Sequence, residues 1–234
     1  MKKSFLIIGL IFLFVNTQAQ KKKSKGNPIW FNLEVKGGGG TSLLMNKNIL
    51  NDNQINTGLQ FYPTYGIGLG SHITKDFAVQ VEKCWTTFGQ KYTYKNGFPK
   101  QNLNLTASEW GLFVRKTSES SGFIGLGFKT SHVSKASIDS TSQSFKSNLA
   151  FINLEFGSPI WLTNIFDINL NLRMGYCLND IVSNKNYQPG AYKIYNSYKP
   201  TSPLVLQLMV GFNWHIGYFA TSNCKHSGFL LFTN

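Results

Sequence analysis

Eight charged residues fall at the polar positions of segments in which every second residue is apolar. They are the acids Glu34, Glu82, Glu109 and Glu155 and the bases Lys36, Arg115, Lys129 and Arg173. Because successive side chains of a strand point to opposite sides, these eight would share one face. An unpaired buried charge costs on the order of several kcal/mol, so we predict that the acids and bases pair with one another. The position of each residue within its strand leaves the individual partners open.

Catalysis would need a base and an acid that the fold brings together. Glu82, Glu109 and Glu155 supply carboxylates, but no Ser-His-acid arrangement is visible. The histidines fall in different segments: His72, His132, His215 and His226. We therefore expect no enzyme, no cofactor and no metal site, and we interpret His215 as a hydrogen-bonded residue of the polar face. A lipid-modifying enzyme is the alternative.

The polar face needs strands to carry it, and residues 204–218 are the clearest example. Every even position there is apolar, while the odd positions include Gln207, Gly211 and Asn213. This alternation indicates a strand with one apolar face. A strand that crosses a bilayer at a tilt needs about 9–11 residues of this pattern. We interpret the segment as the closing strand of a transmembrane β-barrel.

Seven further segments alternate in the same way, and together they predict an all-β fold, a monomeric eight-stranded antiparallel up-and-down transmembrane β-barrel. They begin at about residues 29, 58, 77, 103, 122, 145 and 168. Short turns at 74–76, 117–121 and 163–167 alternate with long loops at 45–56, 95–102, 134–144 and 179–203. This alternation is typical of outer-membrane barrels, which have short periplasmic turns and long extracellular loops.

The N-terminal segment predicts export. Residues 1–19 have a basic start, an apolar run at 5–15 and the small residues Thr17 and Ala19 before the expected cleavage site, as in a secretory signal peptide. We expect residues 20–28 to be a basic disordered lead-in, residues 29–219 the barrel, and residues 220–234 a C-terminal tail outside the barrel wall. The mature protein would lie in the outer membrane of a Gram-negative bacterium.

Composition favours the same location. Aromatic residues make up 15% of the chain and charged residues only 14%, which suits a barrel with aromatic girdles. The formal net charge is +13, or about +11 once Lys2 and Lys3 are removed with the signal peptide. On an exported chain this charge suggests contact with anionic lipid or polysaccharide, and the alternative is that the loop lysines only solvate the chain. We expect outer-membrane lipid, lipopolysaccharide and the barrel-assembly machinery as partners, and no nucleic acid.

The chain resembles the outer-membrane β-barrel domain family of Bacteroidota, the PorT-like group, and more broadly the small barrels of the OmpA and OmpX type. The residues that carry the resemblance are Ala19-Gln20, the segment from Lys75 to Glu82, and the Phe88-Gly89-Gln90-Lys91 that follows. The resemblance spans roughly residues 30–219. It implies a barrel fold and an outer-membrane location.

The loop at 179–203 is the candidate binding surface. It interleaves tyrosines with lysines: Lys185, Tyr187, Tyr192, Lys193, Tyr195, Tyr198 and Lys199. Rings stack on sugars and lysines attract phosphates, so the loop suits an extracellular protein or an anionic glycan. The alternative is that the tyrosines belong to the outer aromatic girdle.

The interior of an eight-stranded barrel is only just wide enough for side chains to fill it. We therefore expect a lumen plugged by its charged side chains and a non-catalytic role, either structural or in surface binding. A narrow channel for small solutes is one alternative. A soluble lipocalin-like barrel is another, and it would need its apolar face inside, around a ligand.

Overall fold

The computed structural model describes residues 29–74, 76–117, 122–138, 145–162, 166–219 and 229–230. The signal peptide and lead-in predicted for residues 1–28 lie outside this part of the chain, and so does most of the predicted tail. No helix among the described residues is long and apolar enough to span a membrane.

Long antiparallel strands form the wall, and there are eight of them in the described residues. They are β1 (Ile29–Met45), β3 (Phe61–His72), β4 (Phe77–Tyr94), β5 (Gln101–Thr117), β6 (Phe123–Ile138), β7 (Asn148–Leu162), β8 (Phe166–Cys177) and β9 (Ser202–Phe219). Two short strands, β2 (Ile55–Gly58) and β10 (Phe229–Leu230), attach to the wall, and a one-turn helix, α1 (Lys47–Leu50), follows β1.

The wall closes on itself, which confirms the predicted barrel. Each long strand pairs with the next along the chain, and β9 pairs with β1 from Ile29↔Phe219 to Met45↔Ser202. Register partners followed around the wall from Asn32 lead back to β1 at Ser42, ten residues further along the strand. Such a stagger requires strands tilted to the barrel axis by about 35–45°.

The two ends of the barrel differ. The pairs His72↔Ala78, Thr117↔Phe123 and Leu162↔Asp167 join consecutive strands at one end, which we call the turn end, together with the start of β1 and the end of β9. The described connections at 46–60, 95–100 and 178–201 lie at the other end, the loop end, where β6 also ends and β7 begins. In a barrel with this topology the turn end faces the periplasm.

The exterior of the wall is apolar. On β9 the side chains of Leu208, Val210 and Phe212 are exposed, with Phe212 at 45%, while Gln207 and Asn213 on the other face are buried. The same alternation recurs on the other long strands. This sidedness is the opposite of the one that a lipocalin-like barrel needs, because the apolar face points outward and the charged face inward.

Three boundaries differ from those predicted from the sequence. The second predicted strand begins at Phe61 instead of Gly58, and the short β2 precedes it at Ile55–Gly58, partly within the predicted loop at 45–56. The fifth extends to Ile138 instead of Val133, since β5 continues to pair with it as far as Leu103↔Ile138. The sixth begins at Asn148, and Phe145 instead bridges to Val182 in the last loop.

The predicted tail is not wholly separate from the wall. Its residues Phe229 and Leu230 form β10 and pair with Phe219 and Tyr218 of β9. Pairing of β8 with β9 ends at Trp214, so this edge of β9 is open to a further strand there. The closing pair of β1 and β9 is retained.

Candidate functional site

The candidate site is an ion-pair network that fills the middle of the barrel. We call it the lumen network; its members are Glu34, Glu82, Glu155, Lys36, Arg115 and Arg173. Each is buried, with at most 6% of its surface exposed. Three acids and three bases give the network a formal net charge of zero, so it can be enclosed without a counterion.

Arg173 is the centre of the network. Its Nη1 and Nη2 donate to Oε1 and Oε2 of Glu82 at 2.6 and 3.0 Å, and Nη2 also donates to Oε1 of Glu155 at 2.9 Å. The guanidinium lies over the Phe113 ring, 4.2 Å from its centroid. A planar guanidinium in two-point contact with a carboxylate is held in a fixed geometry.

Lys36 and Arg115 extend the network to the other strands. The ammonium of Lys36 bonds both Glu82 and Glu34, the latter at 3.0 Å. Arg115 donates to Glu155 through Nε and Nη2, each at 3.0 Å. The Glu34 carboxylate also accepts from the side-chain amide of Gln80. Each carboxylate of the network therefore has a charged donor.

The remaining two predicted lumen charges form a separate pair. Lys129 donates to Glu109 at 2.6 Å, and both side chains are buried. All eight charged residues singled out in the sequence thus lie inside the barrel, six in one network and two in this pair.

Glycines facing inward make room for these side chains. A Cβ on Gly211 would lie 2.5 Å from the Oε1 atom of Glu34 and 2.6 Å from the Oδ1 atom of Asn169. A Cβ on Gly127 would lie 2.3 Å from the Phe113 ring, which in turn supports Arg173. The small residues let large polar ones reach across a narrow interior.

Between the network and the loop end the interior is apolar. The alternation along the strands did not predict this second layer. The buried residues there include Leu44, Phe88, Leu103, Phe151 and Val205 from the wall, with Ile49, Ile181 and Val182 from the loops. The rings of Phe88 and Phe151 meet edge to face at 6.0 Å. Apolar runs without alternation, such as residues 149–152, are the signal in the sequence for this core.

The last long loop covers the apolar core. We call residues 179–201 the cap. Its Ile181 and Val182 are buried in the core, and Tyr187 packs against Phe145 at 5.8 Å between ring centroids. Tyr192 contacts the rings of Tyr94 and Phe98 at 5.8 and 5.7 Å. The cap is therefore packed onto the barrel mouth.

Polar contacts from the first loop hold the cap in place. The Asp52 carboxylate accepts from Lys193 at 2.7 Å and from the Tyr195 hydroxyl at 2.9 Å. Asn46 donates to the backbone oxygen of Lys199 at 2.9 Å. Within the cap itself, the Tyr198 hydroxyl donates to Asp180. The anchors Asp52 and Asn46 lie far from the cap in sequence, so its spacing pattern could not identify them.

These contacts perturb the ionisable groups of the loops. The hydrogen bond from Lys193 lowers the pKa of Asp52 from 3.8 to about 2. Burial raises the pKa of Tyr187 to about 12. Burial and then the bond to Asp52 raise the pKa of Tyr195. The Tyr195 hydroxyl is thus held in its protonated form and donates to Asp52.

Fewer of the lysines and tyrosines of the cap are fully exposed than the composition of this loop suggests. Lys185 is exposed, Lys193 is about half exposed and Ile194 is 98% exposed. Of the seven residues singled out in this loop, all four tyrosines are at least partly buried.

The three histidines of the described residues lie in two environments. His215 bonds the carboxylate of Asp167 through Nε2 at 3.1 Å near the turn end, and His72 lies in the same region of the lumen. His132 lies on the exterior, where its Nδ1 is 3.0 Å from the Asn148 side-chain oxygen. His226 lies outside the described residues. The part of the chain that the structure describes contains no cluster of His, Cys, Asp and Glu that could hold a metal ion.

No protein-family model matches the chain, and no curated protein sequence does either. Among solved structures it is similar to the outer membrane protein OprG from Pseudomonas aeruginosa, with 10% identity and a TM-score of 0.51 over 79% of this chain and 95% of that one. Neisserial surface protein A has 16% identity and a TM-score of 0.44, covering 79% of this chain and 96% of that one. Outer membrane protein AlkL has 13% identity and a TM-score of 0.37, covering 90% and 99%. The chain therefore has the fold of the small outer-membrane β-barrels.

Proposed function

We propose that this chain is an integral outer-membrane β-barrel with a closed interior and a non-catalytic role, either structural or in binding at the cell surface. The observation that carries the proposal is the lumen network. Six charged side chains from five strands meet inside the barrel with no net charge. A conducting pore in a barrel of eight strands would need water in the space that these side chains fill.

The apolar core supports closure by a second, independent layer. Core residues such as Leu103 and Phe151 are at most 2% exposed, and the cap covers them from the loop end. A solute entering from that side would have to displace packed apolar side chains and then separate buried ion pairs. Both steps are costly.

The proposal of a non-catalytic role rests on the contacts of the lumen carboxylates. Glu82 and Glu155 each accept from Arg173, and Glu109 accepts from Lys129. Carboxylates engaged in this way are enclosed by their donors, whereas a general acid or base must reach a substrate.

Conductance measurements test closure. The barrel, folded in detergent and added to a planar bilayer, should show no steady current steps, while a porin measured in the same apparatus should show them. Reproducible conductance of the unaltered protein would support the narrow channel and reject the closed interior.

Membrane insertion has its own test. Barrels that fold in a membrane keep their shape in mild detergent and migrate differently on a gel before and after boiling. We expect this heat-dependent shift and a requirement for detergent. A chain that dissolves without detergent and shows no shift would not be a membrane barrel.

The resemblance to the Bacteroidota PorT-like family supports a more specific assignment. Of the residues that carry it, 77–82 and 88–91 lie in β4. Expression in a Bacteroidota host should give a mature chain that begins at Gln20 in the outer-membrane fraction, read by intact mass. An uncleaved chain, or one retained in the inner membrane, would reject this assignment.

A further inference from the structure

Lys83 lies on the lipid-facing side of the wall, at the height of an aromatic side chain of the next strand. Lys83 is outward on β4, between Val81 and Trp85 on the same face, and its register partners are Ile67 and Trp110. A cation on this face is unfavourable in a way that increases with depth in the bilayer. Its presence calls for a polar or anionic partner at the membrane surface.

The side chain of Lys83 is directed to the loop end of the wall. Its Nζ is 3.3 Å from the hydroxyl of Ser108 and 4.8 Å from the centroid of the Trp110 ring. β5 starts at the loop end, and Ser108 precedes Trp110 on it, so Ser108 lies nearer that end. The Lys83 ammonium therefore points towards the loop end. Long side chains at the edge of the lipid band place their charge at the headgroups in this way. Within the described residues no carboxylate pairs with Lys83.

An open cleft on the exterior has Lys83 in its lining. It has a volume of about 570 Å³, and its lining includes Lys83, Ser108, Trp110, Thr130, His132 and Asn148. A second cleft of about 530 Å³ lies further along β6 towards the loop end and is lined by Lys135, Lys146 and Phe145 among others. Neither lining contains an aspartate or a glutamate. The surface therefore favours an anion that also carries hydroxyl groups.

Below the cleft the wall is apolar. Val81, Leu112, Phe128 and Ile152 are register neighbours on four consecutive strands, and all four are exposed. The next outward row towards the loop end contains Lys83, Trp110 and Thr130. The polar and basic row therefore lies nearer the loop end than the apolar row. An amphiphile with an anionic, hydroxyl-bearing head and several acyl chains matches this arrangement.

We propose that this surface binds a phosphorylated saccharide lipid of the outer leaflet, of the lipid A type, with a phosphate on the Lys83 ammonium. The hydroxyls and amides of the cleft meet the sugar, and the acyl chains lie on the row from Val81 to Ile152. The inference rests on the proposed insertion in an outer membrane, and it adds a site and the chemical groups recognised there to the lipopolysaccharide partner expected from the composition.

The test measures lipid binding to the full mature chain, folded in detergent. The probe is lipid A carrying both phosphates, and bound lipid is counted by native mass spectrometry. Lys83→Gln should weaken binding about fivefold, as expected for one lysine at an anionic surface. Lys116→Gln is the matched control, because Lys116 is also outward and exposed but lies at the turn end of β5. It should change binding less than twofold.

Binding of other lipids and of phosphate shows which part of lipid A the chain recognises. Lipid A without phosphates should bind as weakly to the unaltered chain as intact lipid A binds to the Lys83→Gln variant. Phosphatidylglycerol and inorganic phosphate should both bind more weakly than intact lipid A. Equal binding of phosphatidylglycerol, with the same dependence on Lys83, would overturn the saccharide specificity.

Two other results would overturn the site itself. One is unchanged binding in Lys83→Gln, and the other is equal loss in Lys116→Gln. If Lys83→Gln does not fold, Ser108→Ala tests the same site with the charge retained and should weaken binding, whereas an unchanged affinity rejects the site. Failure of the proposed function is recognised separately, because it appears as a missing heat-dependent shift of the unaltered chain before any lipid is added.

Discussion

Arg173 on β8 reaches across the lumen to Glu82 on β4, with N–H···O distances of 2.6 and 3.0 Å. In the order of the wall these strands lie four places apart, which is halfway around eight strands. The contact therefore braces opposite sides of the barrel. Neighbouring strands are already joined by backbone hydrogen bonds, so this brace adds a connection that the sheet itself cannot supply.

Removal of one partner of this brace should destabilise the barrel. Arg173→Ala leaves the Glu82 carboxylate buried with fewer donors, and breaking a buried pair in this way costs about 3–5 kcal/mol. Glu82→Ala should have a similar effect. The measurement is the free energy of unfolding in urea, with the barrel in phospholipid vesicles.

Lys193→Ala is the control for both variants. Its side chain is about half exposed at the surface of the cap, so its loss should change the free energy of unfolding much less. Equal and negligible effects at all three positions would mean that water solvates the lumen charges, and the network would then have no structural role.

Gly127→Ala tests how tightly the lumen is packed. The added Cβ would lie 2.3 Å from the Phe113 ring, so the ring and the Arg173 guanidinium above it must shift. Overpacking of this kind costs about 1–3 kcal/mol in free energy of unfolding. Gly37→Ala is the matched control, because Gly37 is exposed on β1 and nothing lies within 4 Å of its added Cβ. A smaller loss at Gly127 than at Gly37 would contradict the close packing.

Acid should loosen the cap. The pKa of Asp52 is lowered from 3.8 to about 2, chiefly by the hydrogen bond from Lys193, so its contribution is complete above about pH 4 and is lost as the pH falls through about 2. Pepsin digestion followed by mass spectrometry should find the cap protected at pH 4 and cleaved at pH 2. Asp52→Asn should be cleaved at both values. Equal protection of the unaltered cap at pH 2 and pH 4 would show that Asp52 does not hold it.

Truncation after Phe219 tests the tail. The described part of the tail pairs with β9 over two residues only, Phe229↔Phe219 and Leu230↔Tyr218, while β1 completes the wall independently. The shortened chain should therefore fold in detergent at least as well as the full chain, judged by its heat-dependent shift. Loss of that shift would show that the tail belongs to the wall.

The sequence by itself determined the strands and their faces. On β9 the period of two separates Gln207 and Asn213 from Leu208 and Phe212, and any strand with these side chains must bury one set and expose the other. The same reasoning correctly predicted the extent of β4, residues 77–94. Such patterns are local, because the direction of a side chain depends only on its position along its own strand.

Only the tertiary structure decided which inward residues meet. Glu82 and Arg173 are 91 residues apart, and their contact depends on the ten-residue stagger of the closed wall. The stagger arises from the register of every strand pair together, which no single segment specifies. The anchoring of the cap by Asp52 has the same origin, since closure brings the first and last long loops to one mouth. The spacing of residues along one strand gives no information on distances across the barrel.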